Sequence, residues 1–326
     1  MMLPYLLRLS CLCLACFYIV HTALALVASG VSPTALRHAE RLKPRKAARL
    51  LFALRIFPTA ASVLAVGALC VPSYLWLEPA AARERVGVAC ISAALLGTAL
   101  WAISAVRTLR ASVRSFRFAK LCQRWSSFVA LPDKTSPVLV VESESPLLAM
   151  AGVFRPQVVI SLGVLDALSP EQLDAALRHE QAHGRSRDNL KRLLLLLAPG
   201  MASSCSGLAA LERGWAKFAE RAADDRAVQG DSLLSVSLAS ALVRVARMGA
   251  APRVSPLLMS LVPDRSDLSE RVNRLLHPRP PRELPDPPLR VAAAGVVCVV
   301  TSLFAILLLR PETFYAVHAL LERLVR

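Results

Sequence analysis

Charge is scarce in this sequence. Only 19% of the 326 residues are Asp, Glu, Lys or Arg, while 55% are hydrophobic and the mean hydropathy is +0.49. That balance excludes an ordinary soluble protein and leaves a membrane protein carrying a polar insert. Acidic residues are scarcer than basic ones, 23 against 39, for a net charge of +16. Such a surplus points to nucleic acid only where the basic residues cover a polar surface, and here they do not. Disulfides are not expected either. Six of the eight cysteines (Cys11, Cys13, Cys16, Cys70, Cys90 and Cys298) lie in apolar runs, and Cys122 and Cys205 stand apart. Neither a disulfide framework nor a CxxC zinc site is indicated. Aromatics make up 6% of the chain, and all four tyrosines (Tyr5, Tyr18, Tyr74, Tyr315) fall outside the polar insert.

Four runs of roughly 20 apolar residues are long enough to cross a bilayer. They are residues 9–28, 57–77, 86–106 and 291–309. Arg8 ahead of the first run, and small residues at its end, would also suit a signal peptide. The basic run Arg37, Arg41, Lys43, Arg45, Lys46 and Arg49 follows almost at once and resists export, which favours a retained anchor. A second basic cluster, Arg107, Arg110, Arg114, Arg117, Lys120 and Arg124, follows the third run. The loop between the second and third runs holds Glu78, Arg83, Glu84 and Arg85, which cancel. The positive-inside rule then places the N-terminus outside, residues 107–290 inside, and the tail 311–326 outside. The basic clusters would sit against anionic lipid headgroups, and no direct nucleic-acid binding is expected.

The chemistry lies in residues 107–288. Residues 107–127 read as a basic helix continuing out of the third span. Residues 138–141 and 157–161 read as strands, the second after the turn-forming Arg155-Pro156. A helix start follows, with Ser169 as N-cap, Pro170 first and Gln172 third. Leu173, Ala176 and Leu177 then form an apolar stripe leading into His179-Glu180-Gln181-Ala182-His183. On a helix this HExxH pattern puts two imidazoles on one face about a turn apart, able to bind one zinc, with Glu180 placed as general base. Strands beside such a helix often offer an edge on which an extended peptide can lie, the plain alternative being a small structural sheet. Residues 193–211 are apolar enough to suggest a fifth span. Pro199-Gly200 breaks that run and Ser203, Ser204 and Ser206 dilute it, so two short helices returning to the same side are expected. Residues 231–249 read as an apolar helix, 268–276 as a short amphipathic one, and 278–288, with six prolines, as an extended linker to the last span.

A catalytic zinc takes three protein ligands and keeps one position open. Glu220-Arg221-Ala222-Ala223-Asp224 supplies a candidate in Glu220. Asp224, one turn on, can accept the free N–H of a liganding imidazole. Asp225 and Glu212 compete for these roles. The plain alternative is a solvated face pairing with Lys217, Arg221 and Arg226. For an oxyanion partner the insert offers His277, Asn189 or an arginine.

HExxH, a downstream ExxxD, and three spans before with one after resemble the integral-membrane zinc peptidases of the BlaR/MecR type, the β-lactam-responsive antirepressors of bacteria. The residues carrying the likeness are His179, Glu180, His183, Glu220 and Asp224. Arg187-Asp188-Asn189-Leu190, and Glu270-Arg271-Val272 through Leu275-Leu276, add to it. The likeness covers most of residues 1–310. It implies a mainly α membrane protein, with four transmembrane helices and a cytoplasmic α+β zinc-peptidase domain of the gluzincin-like kind. The expected domains are residues 1–106 (three spans and a basic loop), 107–288 (the peptidase) and 289–326 (the fourth span and a short outer tail). The resemblance also implies Zn2+ on His179, His183 and Glu220, with Glu180 as catalytic base and Asp224 behind a histidine. It implies a bacterial inner-membrane location and a protein substrate, such as a DNA-binding repressor, cut in signal transduction. One departure limits this. The sensors of that type carry an extracellular penicillin-binding domain after the fourth span, where this sequence has residues 311–326. The peptidase module and its topology are therefore implied, and antibiotic sensing is not. Two other readings compete. One is an HtpX-like membrane quality-control protease, which shares both motifs but usually has two spans on either side. The other is a catalytically inactive membrane scaffold, against which the intact Glu180 argues.

Overall fold

The computed structural model describes residues 4–78, 86–129, 138–143, 145–200, 207–249, 259–260, 265–277 and 310–325. Three long helical rods come first: α1 (Tyr5–Ala39), α2 (Pro44–Ala65) continuing through a π-turn (Val66–Cys70) into α3 (Val71–Leu77), and α4 (Val88–Trp125). Each is long and apolar enough to cross a membrane, in register with the first three apolar runs. The fourth run (291–309) and the proline linker (278–288) lie outside the described residues. Pro72 explains the π-turn. It has no N–H to give to the carbonyl four residues back, and the ladder widens just before it. Gly97 lets α1 and α4 touch, since a Cβ there would lie 2.5 Å from the Leu14 carbonyl oxygen. Cys13 and Cys16 form a CxxC pair inside α1 with Cys70 in hydrogen-bonding reach of both, and Cys11 Sγ lies 4.0 Å from Cys90 Sγ.

The polar domain begins where α4 ends. Among the described residues its sheet has five strands where two were expected: β1 (Ser126–Val129), β2 (Val138–Val141), β3 (Leu148–Ala151), β4 (Gln157–Ser161) and β5 (Met259–Ser260), in the order β1-β2-β4-β3-β5. The β2–β4 pair is parallel and the others are antiparallel. Period-two alternation divides the strands between two cores. Val138, Val140, Leu148, Met150, Val158 and Ile160 face the helices, while Leu139, Val141, Ala149, Ala151 and Val159 pack with Cys122 and Phe118 of α4. β3, which the sequence reading does not include, pairs with β4 on one side and β5 on the other.

The helices of this domain are α5 (Leu162–Ala167), α6 (Pro170–Ser186), α7 (Asp188–Leu197), α8 (Gly207–Val228), α9 (Ser232–Arg247) and α10 (Arg265–Leu276). The capping box at Ser169 and Gln172 forms as the sequence predicts. The apolar stretch 193–211 does break. α7 ends at Leu197, α8 starts at Gly207, and Leu195, Leu208 and Leu211 pack against Ala25, Ala28 and Leu51 of α1 and α2. A Cβ on Gly207 would lie 2.5 Å from the Ser29 backbone, so this approach too requires glycine. Buried Arg55 of α2 donates to the Ala198 carbonyl, tying the end of α7 to the second rod. α8 packs beside α6. A last helix, α11 (Pro311–Val325), packs on α3 and the π-turn, with Leu321 buried beside Leu12, Cys70 and Tyr74. The polar domain packs instead near Ala35, Ala39 and Ala47. At 1.5 Å per helical residue, those two ends of α1 are about 35 Å apart.

Candidate metal centre

The HExxH segment lies on α6, packed between the sheet and helices α8 and α9. His179, Glu180 and His183 are all buried. The imidazoles meet at their Nε2 atoms, 3.2 Å apart. Glu220 of α8 brings Oε2 to 3.5 Å from His179 Nε2 and 3.7 Å from His183 Nε2. Each outer nitrogen faces a carboxylate. His179 Nδ1 lies 3.0 Å from Asp224 Oδ1, and His183 Nδ1 lies 2.9 Å from Asp188 Oδ2. Such partners keep the proton on Nδ1 and turn the Nε2 lone pair inward.

Asp188 has no role of its own in the sequence pattern. It reaches His183 because α6 ends in a left-handed residue, Arg187 (φ 53°), which turns the chain sharply into α7. Lys191, one turn along, holds its other oxygen at 2.8 Å. Arg271 of α10 completes the cluster. Its Nε and Nη2 grip Asp224 at 3.0 and 2.7 Å, and Nη1 lies 3.1 Å from Glu220 Oε2. The competing residues are elsewhere. Asp225 pairs with Arg274, and Glu212 lies 3.6 Å from Arg55. Of the three oxyanion options, Asn189 spends its amide on the Met150 and Gly152 carbonyls, and His277 is exposed at the end of α10. Of the arginines, Arg271 brings Nη2 to 3.5 Å from His179 Nε2.

The electrostatics follow from burial and pairing. Burial pushes the Glu180 carboxyl up to about 7, against the pull of the two histidines. Burial alone would lower both imidazoles. For His183 it is outweighed by the Glu220 charge and the Asp188 hydrogen bond, which raise it to about 10. For His179 the bonds to Asp224 and Glu220 likewise prevail and raise it. Glu220 and Asp224 are held below the usual carboxylate range, because Arg271 and the histidines more than offset their burial. A metal fits this donor set. Two inward Nε2 atoms converge on one carboxylate oxygen that stands 3.5 and 3.7 Å from them, longer than a good hydrogen bond, and both Glu180 oxygens are buried without a hydrogen-bond partner.

A pH dependence follows. Zinc takes neutral imidazole, so binding must displace the proton that His183 holds below about 10 in the metal-free protein. Zinc affinity should therefore rise with pH between 6 and 8, roughly tenfold per unit for each proton displaced. Chelator competition at several pH values checks this, and a flat profile would mean that the histidines are not the ligands.

Two buried imidazoles, a converging carboxylate and a buried glutamate lie together on one small α+β domain, a donor set that could hold a metal ion. Residues 114–251 match the model of peptidase family M48, which supports a metallopeptidase of that family. The matched stretch runs from within α4 to just past α9. It includes α6 and α8 and stops before α10, which carries Arg271. No curated protein compared with the chain matches it.

Proposed function

We propose that this protein is a membrane-bound zinc endopeptidase that cleaves a cytoplasmic protein, a regulator such as a DNA-binding repressor, in the manner of the BlaR/MecR peptidase module. The observation that carries the reading is Glu180, fully buried with two unpartnered oxygens beside the His179, His183 and Glu220 donors. Those three residues would hold Zn2+, which when bound supplies Lewis acidity at the peptide carbonyl and lowers the pKa of water. Glu180 takes the proton of the attacking water and returns it to the leaving amine. A carboxyl pushed up to about 7 is matched to both transfers near neutral pH. Asp188 and Asp224 hold the imidazoles in register, and Arg271 keeps Asp224 and Glu220 ionised. The test is a comparison of cleavage products in cells carrying the wild type or Glu180→Gln. Fragments found only with intact Glu180 identify the substrate, and identical profiles would defeat the reading.

One observation favours a second substrate class. The α7–α8 segment packs against α1 and α2 beside the centre, a position from which a peptidase could also take damaged membrane proteins, as in the HtpX-like reading. Membrane proteins among the fragments would select it.

The proposed topology has the peptidase domain in the cytoplasm and α11 outside. Reporter fusions at Lys134 and Arg326 should then report opposite sides of the membrane. Finding both on one side would remove either the span at 291–309 or the orientation.

A further inference from the structure

At the end of the helical rods remote from the HExxH site, three side chains converge that peptidase chemistry does not use. Glu78 caps the end of α3, and His318 and Glu322 stand one turn apart on one face of α11. His318 Nε2 lies 3.6 Å from Glu78 Oε2 and 3.5 Å from Glu322 Oε1. Both gaps are too long for hydrogen bonds. They match the 3.5 and 3.7 Å between the imidazoles and Glu220 in the other cluster.

Two of the three side chains are largely enclosed, and the third, Glu322, is 42% exposed at the solvent border of the cluster. The Glu78 side chain is 7% exposed and that of His318 16%. His318 Nδ1 is buried with no hydrogen-bond partner. Glu78, His318 and Glu322 line a cavity of about 10 Å³ together with Arg8, Leu12, Tyr74 and Leu321, which is room for one water-sized occupant. Arg8 Nη2 donates to Glu78 Oε1 at 2.6 Å and its Nε donates to the Tyr74 hydroxyl at 2.7 Å. That clamp fixes Glu78 and leaves Oε2 facing the imidazole. Two carboxylates and one guanidinium leave a single negative charge beside a donor nitrogen, which still attracts a cation.

We propose that Glu78, His318 and Glu322 form a second metal site, for a divalent first-row transition ion of the zinc class, and that the bound ion pins α11 to the ends of α1 and α3. The donor set selects the ion. One imidazole with two carboxylates is too hard for Cu+, while the nitrogen disfavours Mg2+ and Ca2+. The proposal does not depend on the peptidase reading.

Full-length protein in detergent, stripped with chelator and re-equilibrated with Zn2+, is counted for bound metal. The wild type should hold two zinc ions per chain, His318→Ala one, His183→Ala one, and the double variant none. Glu322→Gln, which keeps size and shape, should weaken the same ion that His318→Ala removes. One ion in the wild type that survives His318→Ala and is lost in His183→Ala overturns the second site and leaves the peptidase centre standing. One ion with the opposite dependence supports the second site and overturns the centre.

Discussion

Replacing Glu180 by glutamine should leave a folded, zinc-loaded protein whose cleavage rate falls by roughly 10²–10⁴-fold. Glutamine keeps the shape of the side chain in its buried slot on α6 and changes only its chemistry. The carboxylate is raised to about 7 by burial, whereas the amide has no basicity there. Zinc should stay, because the inward donors belong to His179, His183 and Glu220 and none of them changes. His183→Ala and Glu220→Ala should behave differently and lose metal together with activity. The Gln variant should also be at least as stable as the wild type, since it removes a buried carboxyl whose oxygens have no partner. Three measurements on one preparation decide the matter: zinc content, melting temperature, and turnover of a peptide carrying the cleaved sequence. Near-normal turnover in the Gln variant would sink a zinc-hydrolase mechanism with Glu180 as its base.

Much of this centre could be read from the sequence because its parts obey local rules. The Ser169-Pro170-Gln172 start sets the phase of α6, and a helical phase alone puts His179 and His183 on one face. Glu220 and Asp224 are likewise one turn apart on a single helix, so locating Glu220 located both. What escaped has a long-range origin. Arg271 lies 92 residues from His179 on an amphipathic helix, and no spacing rule connects them; it meets Asp224 only because α10 packs against α9 and α8. Asp188 escaped for a subtler reason. Five residues past His183, it would face away on a continuing helix, and the left-handed Arg187 turns it back. A positive φ at arginine carries no sequence signal, since glycine and asparagine are the usual occupants. β3 was missed because Leu148-Ala149-Met150-Ala151 has no β-branched residue; it is a strand because β4 and β5 pair with it on either side. The two-residue β5 is too short to read from composition at all.

Arg271→Ala should be among the most damaging single changes outside the histidines. The guanidinium is 5% exposed and grips Asp224 through two parallel bonds, with a third contact to Glu220. Its removal strands two buried carboxylates that are both held ionised at neutral pH, and breaking a buried pair in this way costs about 3–5 kcal/mol. In a domain of this size that corresponds to a fall in melting temperature on the order of 10 °C. Arg271→Lys should recover only part of the loss, because an ammonium keeps the charge but lacks the planar fork that meets both Asp224 oxygens. The effect on metal should run the other way. Without the guanidinium, Glu220 is a more basic donor, so excess zinc should restore more melting temperature to Arg271→Ala than to the wild type. The double variant Arg271→Ala, Asp224→Asn separates a pair from two independent defects. Neutralising Asp224 removes one of the stranded charges, so the double variant should melt above the sum of the single losses by a coupling of about 1–3 kcal/mol. Strict additivity would mean that Arg271 packs beside Asp224 without carrying its charge, and the rigid setting of His179 would then have to come from α6 and α8 alone.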